Sequence, residues 1–155
     1  MKTAALKEFL YDAFGHLDDA RLMALTIYGE ARGEIYDGKV AVGSVILERV
    51  EHRGWDGKTV SEVCLMPYQF SCFLPDDSNF AALKLIAGDW DVKKMNSPVL
   101  RECYSIASGL LAGEIRRTPE ITAHHATQYK TIKCKAAWAE KMKKVAVIGR
   151  HEFYC

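Results

Sequence analysis

Asp18-Asp19-Ala20-Arg21-Leu22-Met23-Ala24-Leu25-Thr26-Ile27-Tyr28-Gly29-Glu30-Ala31-Arg32-Gly33-Glu34 is the stretch on which the reading of this chain turns. Leu22, Leu25 and Ile27 give the segment 20–32 one apolar side, as in an amphipathic helix. Asp18 and Asp19 suit its start, where free N–H groups need acceptors, and Gly33 suits a left-handed exit. A second core helix is predicted from Gly38 to Val50. Its many valines suggest a strand, but the run lacks period-two alternation and is too long for a typical one. Gly43 and Ser44 would let another helix approach closely.

Outward from this pair, Leu6, Phe9, Leu10, Ala13 and Phe14 stand at helical spacing and Gly15 stops them. Thr59-Val60-Ser61-Glu62 is a capping box opening a short helix that ends before Pro67. Ser97-Pro98 starts a further helix, with Val99, Cys103, Ile106 and Leu110 on one face and Gly113 closing it. After Pro119 the segments 121–127 and 145–154 are short, β-branched or aromatic, the second broken by Gly149, and read as strands. Helices first and a small sheet last predict a mostly α-helical α+β fold. The organisation expected is one domain over 1–155: an N-terminal helix and linker (1–19), a helical lobe (20–113) and a β-containing lobe (119–155).

Composition agrees. The 155 residues are 49% apolar and carry a net charge of +1, with six Phe, three Trp and seven Tyr, which excludes a disordered chain. The longest apolar stretch, Val40 to Leu47, is far short of the roughly 20 residues of a membrane span. Lys7-Glu8 interrupts the apolar core an export signal needs, so synthesis in a cytoplasm is expected. Five widely spaced cysteines without a Cys-x-x-Cys argue for reduced thiols, some buried, over a disulfide framework or structural zinc. Residues 130–152 hold seven Lys or Arg against two Glu, either a basic face for an anionic envelope or nucleic acid, or a solvated surface.

Several side chains invite chemistry. Glu30 falls in the last helical turn, where unpaired carbonyls and burial beside Tyr28 favour a carboxyl that keeps its proton, as a donor to a glycosidic oxygen must. The plain alternative is one more solvated glutamate. Glu34 is the obvious second carboxylate of a glycosidase pair, or a structural group bonded to backbone near Tyr36 or Asp37. The loop from Met66 to Phe73 combines Tyr68 and Phe70 with Gln69 and Ser71, which suits either a glycan groove or the core. His124, His125 and His151 raise a metal question. Adjacent histidines on a strand point to opposite faces, so at most one of the first two joins His151, and no metal or other cofactor is expected.

The run from Ile27 to Glu34, then Gly38-Lys39-Val40-Ala41-Val42, Val45 to Val50, Gln69-Phe70-Ser71-Cys72, and Ile148 to Tyr154 together resemble the SleB/CwlJ cell wall hydrolase family. The resemblance implies a goose-type-lysozyme-like fold of the lytic transglycosylase kind, with Glu30 as catalytic acid. It also implies a glycan cleft lined by Gln69, Ser71, His124, His151 and Tyr154, to which the reading of the residues adds Tyr28, Glu34 and Phe70 as candidate substrate contacts. Two departures accompany it: Ala123-His124-His125 stands where the family usually has Thr-His-Tyr, and a Pro usually precedes the counterpart of Trp138. The function expected is cleavage of the MurNAc-β-1,4-GlcNAc bond of peptidoglycan with 1,6-anhydro ends. A water-using muramidase with Glu34 or Asp37 as second carboxylate is the alternative. A non-catalytic glycan- or nucleic-acid-binding module is the rival from another class. The setting expected is that of a monomeric phage endolysin. It would be made without a signal peptide, act on wall peptidoglycan after release, and bind no specific nucleic acid.

Overall fold

The computed structural model describes residues 1–54 and 57–155. Its centre is α2 (Asp19–Ala31), where every residue from Leu22 to Ile27 is buried, leaving only the two ends at the surface. Asp18 caps it, its carboxylate accepting the Arg21 N–H at 2.8 Å. The exit departs from expectation: Arg32 caps α2 in a right-handed conformation. Gly33 instead serves a close approach, since a Cβ there would stand 2.9 Å from Arg150 Nη2.

The second core helix, α3 (Tyr36–His52), is longer than predicted at both ends. Gly43 does admit a neighbouring helix: a Cβ there would meet Leu110 Cδ1 at 2.5 Å. Leu110 belongs to α7 (Pro98–Ala112), which the sequence outlines in full. Ser97 caps it, Pro98 opens it, and Gly113 ends it with φ 75. α1 (Thr3–Phe14) packs through Leu6, Leu10 and Phe14, the last edge-on to Phe73 and Phe80. In α4 (Val60–Cys64) the box is shifted: Thr59 accepts the Glu62 N–H, but the Glu62 carboxylate reaches Lys58 N rather than Thr59 N. α5 (Phe80–Gly88) and α6 (Trp90–Asn96) complete the helical lobe.

The largest correction concerns residues 121–127. Pro119–His124 forms α8, with Pro119 in its first turn and His125 closing it in the left-handed region, φ 49. Its Ile121 is fully buried with Ala41, Val45, Ala126 and Phe153, a second small core between α3 and the sheet. The sheet comprises β1 (Gln128–Thr131), β2 (Lys144–Ile148) and β3 (His151–Tyr154), antiparallel in the order β1-β3-β2. The span read as 145–154 is therefore a hairpin, with Gly149 (φ 58) first in a two-residue turn that pairs Ile148 with His151. Cys64, Cys72 and Cys103 are buried as free thiols, and burial pushes Cys64 and Cys103 up to about 12. Among the described residues no helix is long and apolar enough to cross a membrane.

Candidate active site

A cleft of about 550 Å³ runs between the end of α2, the loop before Cys72 and the exposed face of β1. Glu30 sits on it, in the last turn of α2 as the sequence predicts. Two donors from distant parts of the chain fix its carboxylate. The Cys72 N–H reaches Oε1 at 3.2 Å and the Tyr129 hydroxyl donates to Oε2 at 2.7 Å. Each oxygen thus accepts one bond and keeps a lone pair for a proton or a ligand. Burial, reinforced by the Glu30 charge, pushes the Tyr129 phenol well above its ordinary value, so it stays a donor. Gly29 makes the Cys72 contact possible, because a Cβ there would meet Cys72 Cβ and Sγ at 2.7 Å.

Around this carboxylate the cleft is polar. Arg49, buried in α3, donates from Nε to the Thr127 carbonyl at 2.8 Å and lies over the Phe70 ring at 4.7 Å. Arg53 reaches the same carbonyl and the Gln69 side-chain oxygen, both at 3.3 Å, which orients the Gln69 amide toward the cleft. Tyr68, with φ 66 and an exposed ring, joins Gln69 and Ser71 on one wall. Gln128, Lys130, Trp138 and His151 lie on the other. His151 packs edge-on to Tyr129 at 5.2 Å, and burial holds its imidazole below the ordinary value, hence neutral near pH 7.

Of the side chains the sequence proposes, Glu30, Gln69, Ser71 and His151 meet in the cleft. Five others do not line it. Phe70 is core, 2% exposed. The Tyr28 ring stacks with the Arg32 guanidinium at 5.2 Å. His124 ends α8 at the surface because that segment is helical. Tyr154 borders an adjoining hollow and donates to Glu152. Glu34 is a structural clamp: its oxygens accept the Arg150 N–H at 2.7 Å and Nε at 2.8 Å, tying the β2–β3 turn to the start of α3. Asp37 lies in a separate groove with Arg116 and Pro119. Tyr129 was missed. Thr127-Gln128-Tyr129, four residues past Ala123-His124-His125, shares two letters with the Thr-His-Tyr pattern. Those two shared letters are the signal that could have found it.

Acid should loosen the sheet end of the molecule. Burial alone would raise Glu34, but the Arg150 N–H and guanidinium, with His151, outweigh it and hold the carboxyl below its usual range. Bonds from Lys130, Tyr154 and Lys144 hold Glu152 to about 2. With His151 also depressed, each group binds fewer protons folded than unfolded. Their stabilising contributions are therefore complete above the unfolded values and fade as pH falls through the folded ones. The melting temperature is expected to fall from about pH 6.5, where unfolded histidine protonates, and to go on falling below about pH 4.3, where unfolded carboxylates do, down to about pH 2. A flat profile by differential scanning fluorimetry over that range would contradict it.

A carboxylate in the last turn of a buried helix, set where a helical lobe meets a small sheet across an open polar cleft, defines a lysozyme-like domain. The chain belongs to the cell wall hydrolase family, whose sequence model matches residues 33–154. It is 38% identical to a spore cortex-lytic enzyme of Oceanobacillus iheyensis over 81 residues, 48% of this chain and 29% of that protein. The Bacillus subtilis spore cortex-lytic enzyme is 58% identical over 33 residues, 21% of this chain and 11% of that protein. The chain thus spans less than a third of the curated relatives it matches. Two solved structures share the architecture. The catalytic domain of Bacillus cereus SleB aligns at TM-score 0.56 and 25% identity, covering 88% of this chain and 89% of that one. The catalytic domain of the germination-specific lytic transglycosylase SleB from Bacillus anthracis aligns at 0.60 and 25%, covering 88% and 93%.

Proposed function

We propose that this domain degrades peptidoglycan, cleaving the β-1,4 bond between N-acetylmuramic acid and N-acetylglucosamine as a lytic transglycosylase. The observation that carries the reading is the uncommitted carboxylate: Glu30 is the acidic residue among those lining the main cleft, and Glu34, which shares a small adjoining hollow with Glu30 and His151, has both oxygens taken up by Arg150. Glu30 protonates the departing oxygen, the bond to the muramic C1 breaks, and positive charge develops at that carbon. The carboxylate left behind, held by Tyr129 and Cys72, takes the proton of the same sugar's 6-hydroxyl as its oxygen closes onto C1. The first proton leaves on the 4-oxygen of the departing N-acetylglucosamine, the 6-hydroxyl proton restores the Glu30 carboxyl, and a 1,6-anhydro ring forms. Internal attack supplies about 7–11 kcal/mol through proximity and needs no second carboxylate to hold a water. A water-using muramidase would need such a partner. Glu34 is committed to Arg150 and Asp37 faces another groove, which favours the transglycosylase. The likeness to a lytic transglycosylase of Bacillus anthracis supports the same choice.

Mass spectrometry of digested sacculi tests it: anhydro-muramic ends are expected, and reducing ends alone would reject it. Retention on sacculi without release of any fragment would point to the binding module instead. The setting proposed is lysis of a bacterium from within, with the basic stretch 130–152 meeting anionic envelope. Co-expression with a pore-forming holin should then lyse the producing cell, and intact cells would remove that setting without touching the chemistry. Tyr129→Phe deletes one bond to a charged group, worth about 1.5–3 kcal/mol, so digestion should slow about 10- to 100-fold with sacculus binding unchanged. A wild-type rate in that variant would show that the hydroxyl does not position Glu30.

A further inference from the structure

Away from the cleft, three side chains converge in a way the glycosidase reading does not use. Glu48 and His52 stand one turn apart on α3, and His125 is the left-handed residue that closes α8. Glu48 Oε2 lies 3.0 Å from His125 Nδ1 and 3.4 Å from His52 Nε2, and the three ligand atoms all fall within 4.8 Å of one another. A tetrahedral ion bonded at 2.0–2.1 Å sets its ligand atoms roughly 3.3 Å apart, close to both spacings to Glu48. The Glu48 carboxylate is 2% exposed, and its other oxygen faces Arg117 at 3.5 Å, which leaves Oε2 for the histidines. Both histidines are partly open to solvent, so an ion has an entry path and a fourth position for water. The segment had to be helical for this. On the strand expected for 121–127, His125 would not have closed a helix end beside Glu48 and His52.

We propose that Glu48, His52 and His125 form a binding site for a divalent transition ion of the zinc class. Two imidazoles and one carboxylate suit zinc, whereas calcium and magnesium call for six or more oxygens. None of the three lines the Glu30 cleft, and the site stands whether or not the domain cuts glycan. Its position gives it a structural role. The ion would bolt α3 to the residue two positions before Thr127, whose carbonyl takes Arg49, and four before Tyr129, which holds Glu30.

Tag-free protein with Cys134→Ser and Cys155→Ser, which removes the two cysteines outside the core, tests this by calorimetric titration with zinc chloride. One equivalent should bind and raise the melting temperature, while His52→Gln/His125→Gln in the same background should bind at least about tenfold more weakly. Equal affinity in the two proteins, or no binding to the first, overturns the proposal. Should the double variant fold poorly, ring-proton NMR of the parent protein decides. Zinc is expected to shift the His52 and His125 signals and leave those of His16 and His124 in place. Unmoved signals at His52 and His125 overturn it equally.

Discussion

Glu30→Gln is expected to slow peptidoglycan digestion by about 10³-fold or more, because the amide offers neither an acidic proton nor a base. The fold should not notice. The Gln carbonyl can still accept the Cys72 N–H, and the Tyr129 hydroxyl can turn to accept from the new amide while its own proton faces water in the open cleft. Glu30→Ala separates the two roles. It removes the acceptor of both donors, and a buried donor left unpaired costs about 1–3 kcal/mol, so this variant should melt lower as well as being inactive. Release of soluble muropeptides from purified sacculi, measured beside melting curves, checks both. Residual activity in Glu30→Gln above about a tenth of wild type would remove Glu30 from the chemistry, since general acid–base groups contribute about 10²–10⁴-fold.

How far this site could be read from the sequence depends on how local its causes are. The frame of Glu30 is local: an Asp cap, an apolar stripe and a helix ending soon after position 30 put it in the last turn, as the structure has it. α7 is legible for the same reason, its cap, first-turn Pro and closing Gly all lying within seventeen residues. The partners of Glu30 are not local. Tyr129 is 99 residues away and Cys72 is 42, and their convergence depends on how β1 pairs with β3 and how closely Gly29 lets the Cys72 turn approach. Nothing in residues 121–127 distinguishes a short strand from one helical turn. Ile121 and Thr122 favour a strand, but burial of Ile121 against Ala41 and Val45, with Pro119 as first-turn residue, selects the helix. α5 and α6 did leave a signal, with Phe80, Leu83, Ile86, Ala87 and Trp90 at three- and four-residue steps and all buried. Glu34 shows the opposite limit. Pattern marks it as a possible second carboxylate, and only the fold reveals Arg150 waiting for it from across 116 residues.

Gly29→Ala is expected to damage activity far more than stability. Alanine gains about 1 kcal/mol of helix propensity over glycine in the interior of α2, whereas overpacking typically costs about 1–3 kcal/mol. The two largely offset, so the melting temperature should move by only a few degrees. The contact cannot be absorbed quietly, however, because the new Cβ would stand 2.7 Å from both Cβ and Sγ of Cys72 and 3.1 Å from Leu83 Cδ1. Cys72 and Leu83 are both buried, but the Cys72 atoms are struck harder, at 2.7 against 3.1 Å, so the three-residue turn Ser71–Phe73 is what must shift. That turn carries the N–H on Glu30 Oε1 and the Ser71 wall of the cleft. A displacement of order 1 Å at a reacting group costs about 10²-fold in rate, and a loss of that size is expected here. Cys72→Gly supplies the control. It leaves the donating N–H in place and removes both atoms the alanine strikes, so Gly29→Ala/Cys72→Gly should digest sacculi faster than Gly29→Ala alone. If the single variant works at the wild-type rate, or the second change brings no recovery, the Cys72 turn does not position the carboxylate.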